Sequence, residues 1–142
     1  MKKKMVTELR RYVIKNLKHP IKEDVNRDIE WICNCLGFAD SRDKEKTASK
    51  IFKLLIDAAK EGKGLTSEEI AESVKPTRGA VVHHLNKFIK SGLVIKVNSK
   101  YELRMSSLKK TVEEVNLDIQ RVINNISQIA ESVDNKLGLK SR

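Results

Sequence analysis

The sequence predicts a mainly α-helical protein with one small β-hairpin, and three observations lead to that fold class. Apolar residues recur at helical spacing over most of the chain, and turn signals divide it into segments of helical length. Only residues 93–97 and 100–103 form short β-rich runs, which flank the turn Asn98-Ser99. From residue 106 to residue 137 a heptad pattern continues without glycine or proline.

The first 40 residues are predicted to form an N-terminal helical extension. A helix over residues 3–18 follows from the apolar spacing, and it must end before Pro20 because the residue preceding proline is pushed out of the helical region. A second helix is predicted over residues 22–36, with Gly37 as its C-terminal stop.

Residues 41–104 are predicted to fold as one small domain that ends in the hairpin. A helix over residues 42–60 is followed by a short helix over residues 67–74, a tight turn and a helix that begins after Thr77. Leu65 is expected to act as a lone strand residue between the first two helices. This order of helix, turn, helix and hairpin is the sequence outline of a winged helix-turn-helix, whose usual partner is duplex DNA.

Capping residues mark where these helices begin. Asp40-Ser41 offers a cap for the helix over residues 42–60. Thr66 and Glu69 have the spacing of a capping box, in which each side chain bonds the other residue's backbone N–H. Thr77 can cap the helix that follows it, so each of the three helices of the predicted domain has a local start signal.

The helix after Thr77 divides into an inward and an outward face. Val81, Leu85 and Phe88 recur at the spacing that packs on the preceding helices. An arginine at the start of the outward face can pair with guanine, and its lysines suit phosphate contacts. Together with three hairpin residues, the predicted DNA-binding set is Thr77, Arg78, Gly79, Val82, His83, Asn86, Lys87, Lys90, Lys96, Asn98 and Lys100.

The run AVVHHL at residues 80–85, followed by SGLV at residues 91–94, resembles the recognition helix of ArsR-type winged-helix regulators. The resemblance covers residues 46–103. It implies a dimeric DNA-binding repressor or regulator with base-reading positions at Thr77, Arg78, Gly79, Val82 and His83. Val82 departs from the family pattern, in which a serine is common at this position.

Residues 105–142 are predicted to be the dimerisation region, and its helix between residues 106 and 137 would be roughly 45 Å long at 1.5 Å per residue. Its a and d positions are Leu108, Val112, Val115, Ile119, Val122, Ile126, Ile129 and Val133. This apolar seam is too long for the small domain to cover, which favours a coiled coil with a second copy. The alternatives are packing on the chain's own N-terminal helices or a mixture of both. Valine and isoleucine at both a and d leave the number of copies weakly specified.

The net charge of +10 favours a polyanionic partner. Basic residues are concentrated in residues 1–22 and 41–104, whereas residues 23–40 are acidic. Lysine-rich surfaces also serve solubility alone, so the charge supports a nucleic-acid partner only if the basic residues share one surface.

The sequence predicts a cytoplasmic, reduced protein with no membrane partner. No segment approaches the roughly 20 apolar residues of a membrane span. Charged residues interrupt the apolar core that a secretory peptide would need near the N-terminus. The 2 cysteines do not suggest a disulfide framework.

Neither a metal site nor an active site is predicted. Cys33 and Cys35 have the Cys-x-Cys spacing of metal-sensing ArsR proteins, but two thiolates alone do not close a tetrahedral zinc site, and helical spacing favours burial of Cys35. His83 and His84 are neighbours on a helix and point about 100° apart. Because the sequence also lacks a phosphate-binding loop and a recognisable catalytic set, we expect no cofactor and no enzymatic activity.

Three functions are compatible with these patterns. The first is a homodimeric, sequence-specific transcriptional regulator that places its recognition helix in the major groove. The second is a winged-helix adaptor for protein interactions, and the third is a sequence-neutral chromatin protein. The first is favoured because a set of outward residues is wholly basic or polar with no acidic residue: Arg78, His83, Asn86, Lys87 and Lys90.

Overall fold

The elements follow the predicted order in a computed structural model, which describes residues 9–21, 23–38, 46–74 and 77–140. Within these ranges the chain forms five helices and two strands. They are α1 (Val25–Cys35), α2 (Thr47–Lys60), α3 (Ser67–Val74), α4 (Arg78–Lys90), β1 (Val94–Val97), β2 (Lys100–Leu103) and α5 (Leu108–Leu137). The predicted fold class is therefore confirmed.

The predicted helix over residues 3–18 is wrong for residues 9–18, which form no regular secondary structure. Their backbone bonds to other elements instead: the Arg11 amide donates to the Lys90 carbonyl at 3.0 Å, and the Lys15 amide donates to the Cys35 carbonyl at 2.7 Å. These contacts replace the intrahelical bonds that the apolar spacing suggested, and Leu9 is left 91% exposed. Residues 3–8 lie outside the described residues.

Helix α1 begins at an aspartate cap and ends at a required glycine. The Asp24 carboxylate accepts from the backbone of Asn26 at 2.9 Å, so the helix starts three residues later than predicted. Gly37, the predicted stop, has a φ of +77°, and a Cβ there would lie 2.7 Å from Cγ1 of Val13. Gly37 therefore allows both the turn and the close passage of the N-terminal segment.

Helix α2 begins at Thr47 rather than at residue 42, because Lys46 adopts a left-handed conformation with a φ of 58°. The predicted cap Asp40-Ser41 lies outside the described residues. The Lys46 ammonium is 2.6 Å from the Glu30 carboxylate, an ion pair that joins the start of α2 to α1.

The capping box of α3 is confirmed. The Glu69 amide donates to the Thr66 hydroxyl at 3.1 Å, and the Thr66 amide donates to the Glu69 carboxylate at 2.9 Å. These bonds from Thr66 hold the pKa of Glu69 below its ordinary value. The start of α3 is thus fixed by local hydrogen bonds.

Replacing Thr66 tests the capping box. Thr66→Ala removes one of the two reciprocal bonds and is expected to lower the free energy of unfolding by about 1 kcal/mol. Thr66→Ser keeps the hydroxyl and is the matched control, with an expected loss well below that of the alanine variant. Urea denaturation of the three proteins measures the difference, and equal stability of Thr66→Ala and wild type would contradict the role of the cap.

The wing is an antiparallel hairpin whose second strand also pairs with Leu65. Val94 pairs with Leu103 and Val97 pairs with Lys100, around a turn in which Asn98 has a φ of 59°. Leu65 forms the predicted lone bridge, since its amide donates to the Tyr101 carbonyl at 2.9 Å and its carbonyl accepts from the Tyr101 amide at 2.7 Å. The hairpin is therefore tied to the segment between α2 and α3.

One hydrophobic core takes buried residues from all five helices and the hairpin. The Phe88 ring of α4 stacks on Phe52 of α2, with ring centroids 5.3 Å apart, and meets Phe38 edge-on at 4.7 Å. Val115 brings the start of α5 into the same core. No helix in the described ranges is long and apolar enough to cross a membrane.

Candidate nucleic-acid interface

The candidate interface is built on α4, whose start is fixed by a threonine cap. Thr77 has an extended backbone, and its hydroxyl accepts from the Ala80 amide at 3.2 Å. The helix therefore begins at Arg78, where its unpaired N–H groups and positive dipole end favour an anion such as a phosphate.

The two faces of α4 divide as the sequence predicts. Val81, Leu85 and Phe88 are fully buried, so this face is fixed against the core. At 100° per residue most of the predicted contact residues lie on the opposite half of the helix, whereas Arg78 lies in the first turn, only about 50° from the centre of the buried face. Of these, the exposed ones are Thr77, Arg78, Gly79, His83, Asn86 and Lys90, whereas Val82 and Lys87 are half-buried.

An acidic residue lies beside this outward face. The Arg78 guanidinium places Nη2 at 2.8 Å from Oε1 of Glu68, which is in the first turn of α3. The Ser67 hydroxyl donates to the same oxygen at 2.9 Å. The face is therefore basic and polar on α4 itself, with one carboxylate supplied by the preceding helix.

The hairpin brings three predicted contact residues, Lys96, Asn98 and Lys100, to an exposed edge. The Lys96 ammonium lies 5.3 Å from the centroid of the Tyr101 ring, within the range of a cation–π contact. This contact orients the lysine, and the residue remains exposed.

The buried Asp118 carboxylate connects α5 to the end of α4. We call the cluster of Asp118, Arg104, Arg10 and Arg121 the Asp118 junction. The Asp118 carboxylate accepts hydrogen bonds from Arg104 at 2.5 Å, from Arg10 at 2.6 Å and from Arg121 at 2.9 Å. Arg104 follows β2 and also reaches the carbonyl of Gly92, the turn residue after α4, at 3.4 Å. The junction thereby joins the N-terminal segment, the wing, the end of α4 and α5.

Charge pairing dominates the electrostatics of the Asp118 junction. Burial raises the pKa of Asp118, but the hydrogen bond and charge of Arg104, together with the Tyr12 hydrogen bond and the Arg10 charge, outweigh burial and hold this pKa below its ordinary value. The neighbouring Tyr12 has a raised pKa because of burial, and the Asp118 charge adds to that effect. Asp118 is therefore ionised at neutral pH.

Gly92 also belongs to the Asp118 junction. It has a φ of +82°, and a Cβ there would lie 3.2 Å from Arg104 and 3.3 Å from both Arg10 and Asp118. The glycine lets the ion cluster approach the end of α4 closely.

The predicted dimer seam on α5 divides into a covered and an uncovered part. Val115 is buried against the chain's own core and Leu108 and Ile119 are half-buried there, whereas Val112, in the same part of the helix, is 39% exposed. Further along the helix the seam has no cover among the described residues, and Val122, Ile126, Ile129 and Val133 are 42% to 67% exposed. The first turns of α5 thus belong to the domain, and the remainder presents a free apolar face.

Neither the cysteines nor the histidines form a ligand cluster within the described residues. Burial was predicted for Cys35. In the structure Cys33 is the fully buried cysteine, and Cys35 is half-buried. The rings of His83 and His84 are 5.8 Å apart at their centroids. No group of three or more His, Cys, Asp or Glu residues is placed to hold a metal ion within the described ranges.

A capped, outward-facing helix that follows a short helix and precedes a two-stranded hairpin defines a winged helix-turn-helix protein. Residues 45–96 match the family model described as bacterial regulatory protein, arsR family. The match covers α2 to most of β1, and it confirms the predicted resemblance for that segment. It supports a DNA-binding transcriptional regulator. No curated protein and no solved structure matches the chain.

Proposed function

We propose that the protein is a homodimeric transcriptional regulator that recognises specific duplex DNA sequences with α4 in the major groove. The observation that carries this proposal is the division of α4, in which the inward residues have no exposure and the exposed outward side chains of Arg78, His83, Asn86 and Lys90 are basic or polar. A helix held this way can enter the groove as a rigid unit, which favours base recognition.

The residues near the start of α4 are assigned to base edges. Arg78 can donate two hydrogen bonds to guanine, and Val82 can contact a thymine methyl. His83 and Asn86 follow on the same face and can donate to or accept from base edges. Among the described residues, a Cβ on Gly79 would meet only the Thr77 hydroxyl, at 4.0 Å, so this position leaves room for the DNA to approach the helix start.

Phosphate contacts are assigned to the edges of the interface. Thr77 lies at the helix start, while Lys87 and Lys90 lie in the last turn of α4. Lys96, Asn98 and Lys100 would extend the contact along the DNA backbone from the wing. Such contacts set affinity and register without distinguishing sequences.

The uncovered seam of α5 supports the homodimer. Four apolar residues at a and d positions remain exposed over the part of α5 beyond the Asp118 junction. A contiguous apolar face of this kind typically marks an interaction surface, and the heptad pattern suits an identical helix. Two copies joined there would present two recognition helices to successive major grooves, about 34 Å apart.

Two substitutions separate base contacts from phosphate contacts. Arg78→Ala is expected to relax specificity at one base position and to cost about 1–3 kcal/mol of binding free energy for the preferred sequence. Lys87→Ala is expected to weaken binding to all sequences alike and to reduce the salt slope by about one. Affinities for a panel of single-base variants of the preferred site measure both effects. If neither substitution changes affinity, α4 is not the DNA-reading helix.

A salt titration tests the proposed function as a whole. A fragment selected from genomic DNA and a scrambled duplex are each titrated with the full-length protein at several salt concentrations. The proposal predicts preferential binding of the selected fragment and a steep fall of affinity with salt. No binding at low salt would exclude both DNA-binding functions and favour a winged-helix adaptor for protein interactions. Equal binding of both duplexes would exclude sequence-specific recognition and favour a sequence-neutral chromatin protein.

A further inference from the structure

The contact between Glu68 and Arg78 has no evident role in holding the fold. Both side chains are more than half exposed, at 56% and 67%, and exposed ion pairs contribute little to stability because water and salt screen them. The Glu68 oxygen that lies 2.8 Å from Nη2 of Arg78 also accepts a hydrogen bond from the Ser67 hydroxyl, so the carboxylate is itself oriented. The pair joins α3 to the first residue of α4, which is the proposed guanine-reading position.

An arginine that reads guanine must present two parallel N–H donors in one orientation. A free arginine side chain samples many rotamers, and ordering it reduces the gain from correct pairing. The closest approach of Glu68 is to Nη2 of Arg78, at 2.8 Å, whereas a guanidinium has five N–H donors. Glu68 can therefore hold the guanidinium in place while other donors remain available to a base.

We propose that Glu68 is a positioning residue that sets base specificity through Arg78, an inference that rests on the proposed function. Its carboxylate restricts the Arg78 guanidinium to the orientation that suits guanine. The same negative charge lies close to the proposed DNA-contacting face and opposes binding to any phosphate backbone. Glu68 thus raises the discrimination between sequences while lowering affinity for arbitrary DNA.

Glu68→Gln in the full-length protein tests this role, because it removes the charge and keeps the shape. The measured quantity is the ratio of affinities for the selected genomic fragment and a scrambled duplex at one salt concentration. We expect this ratio to fall about fivefold in Glu68→Gln, with affinity for the scrambled duplex unchanged or higher. A merely structural role would weaken binding to both duplexes together.

Two matched variants complete the experiment. Glu72→Gln removes an exposed charge one turn further along α3 and should leave the ratio within about twofold of wild type. In an Arg78→Ala background, Glu68→Gln should leave the ratio unchanged, because the group that it positions is absent.

The outcomes distinguish this proposal from the one that it rests on. An unchanged or higher affinity ratio in Glu68→Gln overturns the positioning role of Glu68. A higher ratio would mean that Glu68 competes with DNA for Arg78. An equal fall in Glu72→Gln, or an effect that survives without Arg78, also overturns it. If the wild-type protein does not discriminate between the duplexes, the proposed function fails together with this inference.

Discussion

Ile126→Asp is expected to convert the proposed dimer to a monomer and to weaken binding to the selected fragment by about two orders of magnitude. Ile126 is 59% exposed in the single chain, so the substitution removes little packing from the domain itself. In the proposed dimer the same position lies in the middle of the free seam, where an unpaired carboxylate would be buried at high cost. Loss of the second recognition helix then removes the avidity of paired half-sites. Sedimentation and DNA titration measure the two effects.

Asn124→Asp is the matched control for Ile126→Asp. It adds the same charge to an exposed position of α5 that is not an a or d position. This variant should remain dimeric with unchanged affinity. A dimeric Ile126→Asp protein would contradict the assigned seam. Truncation after Leu103 is a poorer test, because Thr111, Val115 and Asp118 are buried and their loss would damage the domain.

Asp118→Ala is expected to lower the free energy of unfolding by on the order of 3 kcal/mol, because it leaves buried positive charge without its partner. Arg104 is the group most affected, since its side chain is only 17% exposed and it makes two of the hydrogen bonds to Asp118. Urea denaturation at neutral pH measures the loss. Asp134→Asn, an exposed change on the same helix, is the control and should leave stability within about 0.5 kcal/mol of wild type.

The contribution of the Asp118 junction should also depend on pH. The pKa of Asp118 is lower in the folded protein than in the unfolded chain, so folding favours its ionised form. The stabilisation is therefore present above the unfolded-state pKa of about 3.9 and is lost as the pH falls through the lower folded-state pKa. The stability difference between wild type and Asp118→Ala should narrow below about pH 4. A difference that stays constant down to pH 2 would contradict this assignment.

The sequence predicted the elements whose signals are local. The capping box of Thr66 and Glu69, the Thr77 cap and the turn at Asn98 each depend on residues within a few positions, and all three are present in the structure. The inward face of α4 was also predictable because helical periodicity alone defines it. The resemblance to ArsR-type regulators rested on this same region, residues 46–103, and the family match covers most of it.

The features that the sequence did not predict depend on contacts between distant segments. Residues 9–18 have apolar residues at helical spacing, but tertiary bonds to Lys90 and Cys35 hold them outside a helix. Asp118 and Arg10 are 108 positions apart, and no local pattern connects them. Glu68 and Arg78 are on consecutive helices, so a signal was available there: the turn of a helix-turn-helix brings the start of one helix near the other.

Footprinting of the protein on a selected genomic fragment tests the central claim most directly. Hydroxyl-radical cleavage reports backbone protection, and methylation at guanine N7 reports contacts in the major groove. A dimer that reads DNA with α4 should give two protected half-sites about 34 Å apart, each with a guanine N7 whose protection is lost in Arg78→Ala. Uniform protection along the fragment, or a single half-site without major-groove contacts, would contradict a sequence-specific dimer that reads DNA with α4.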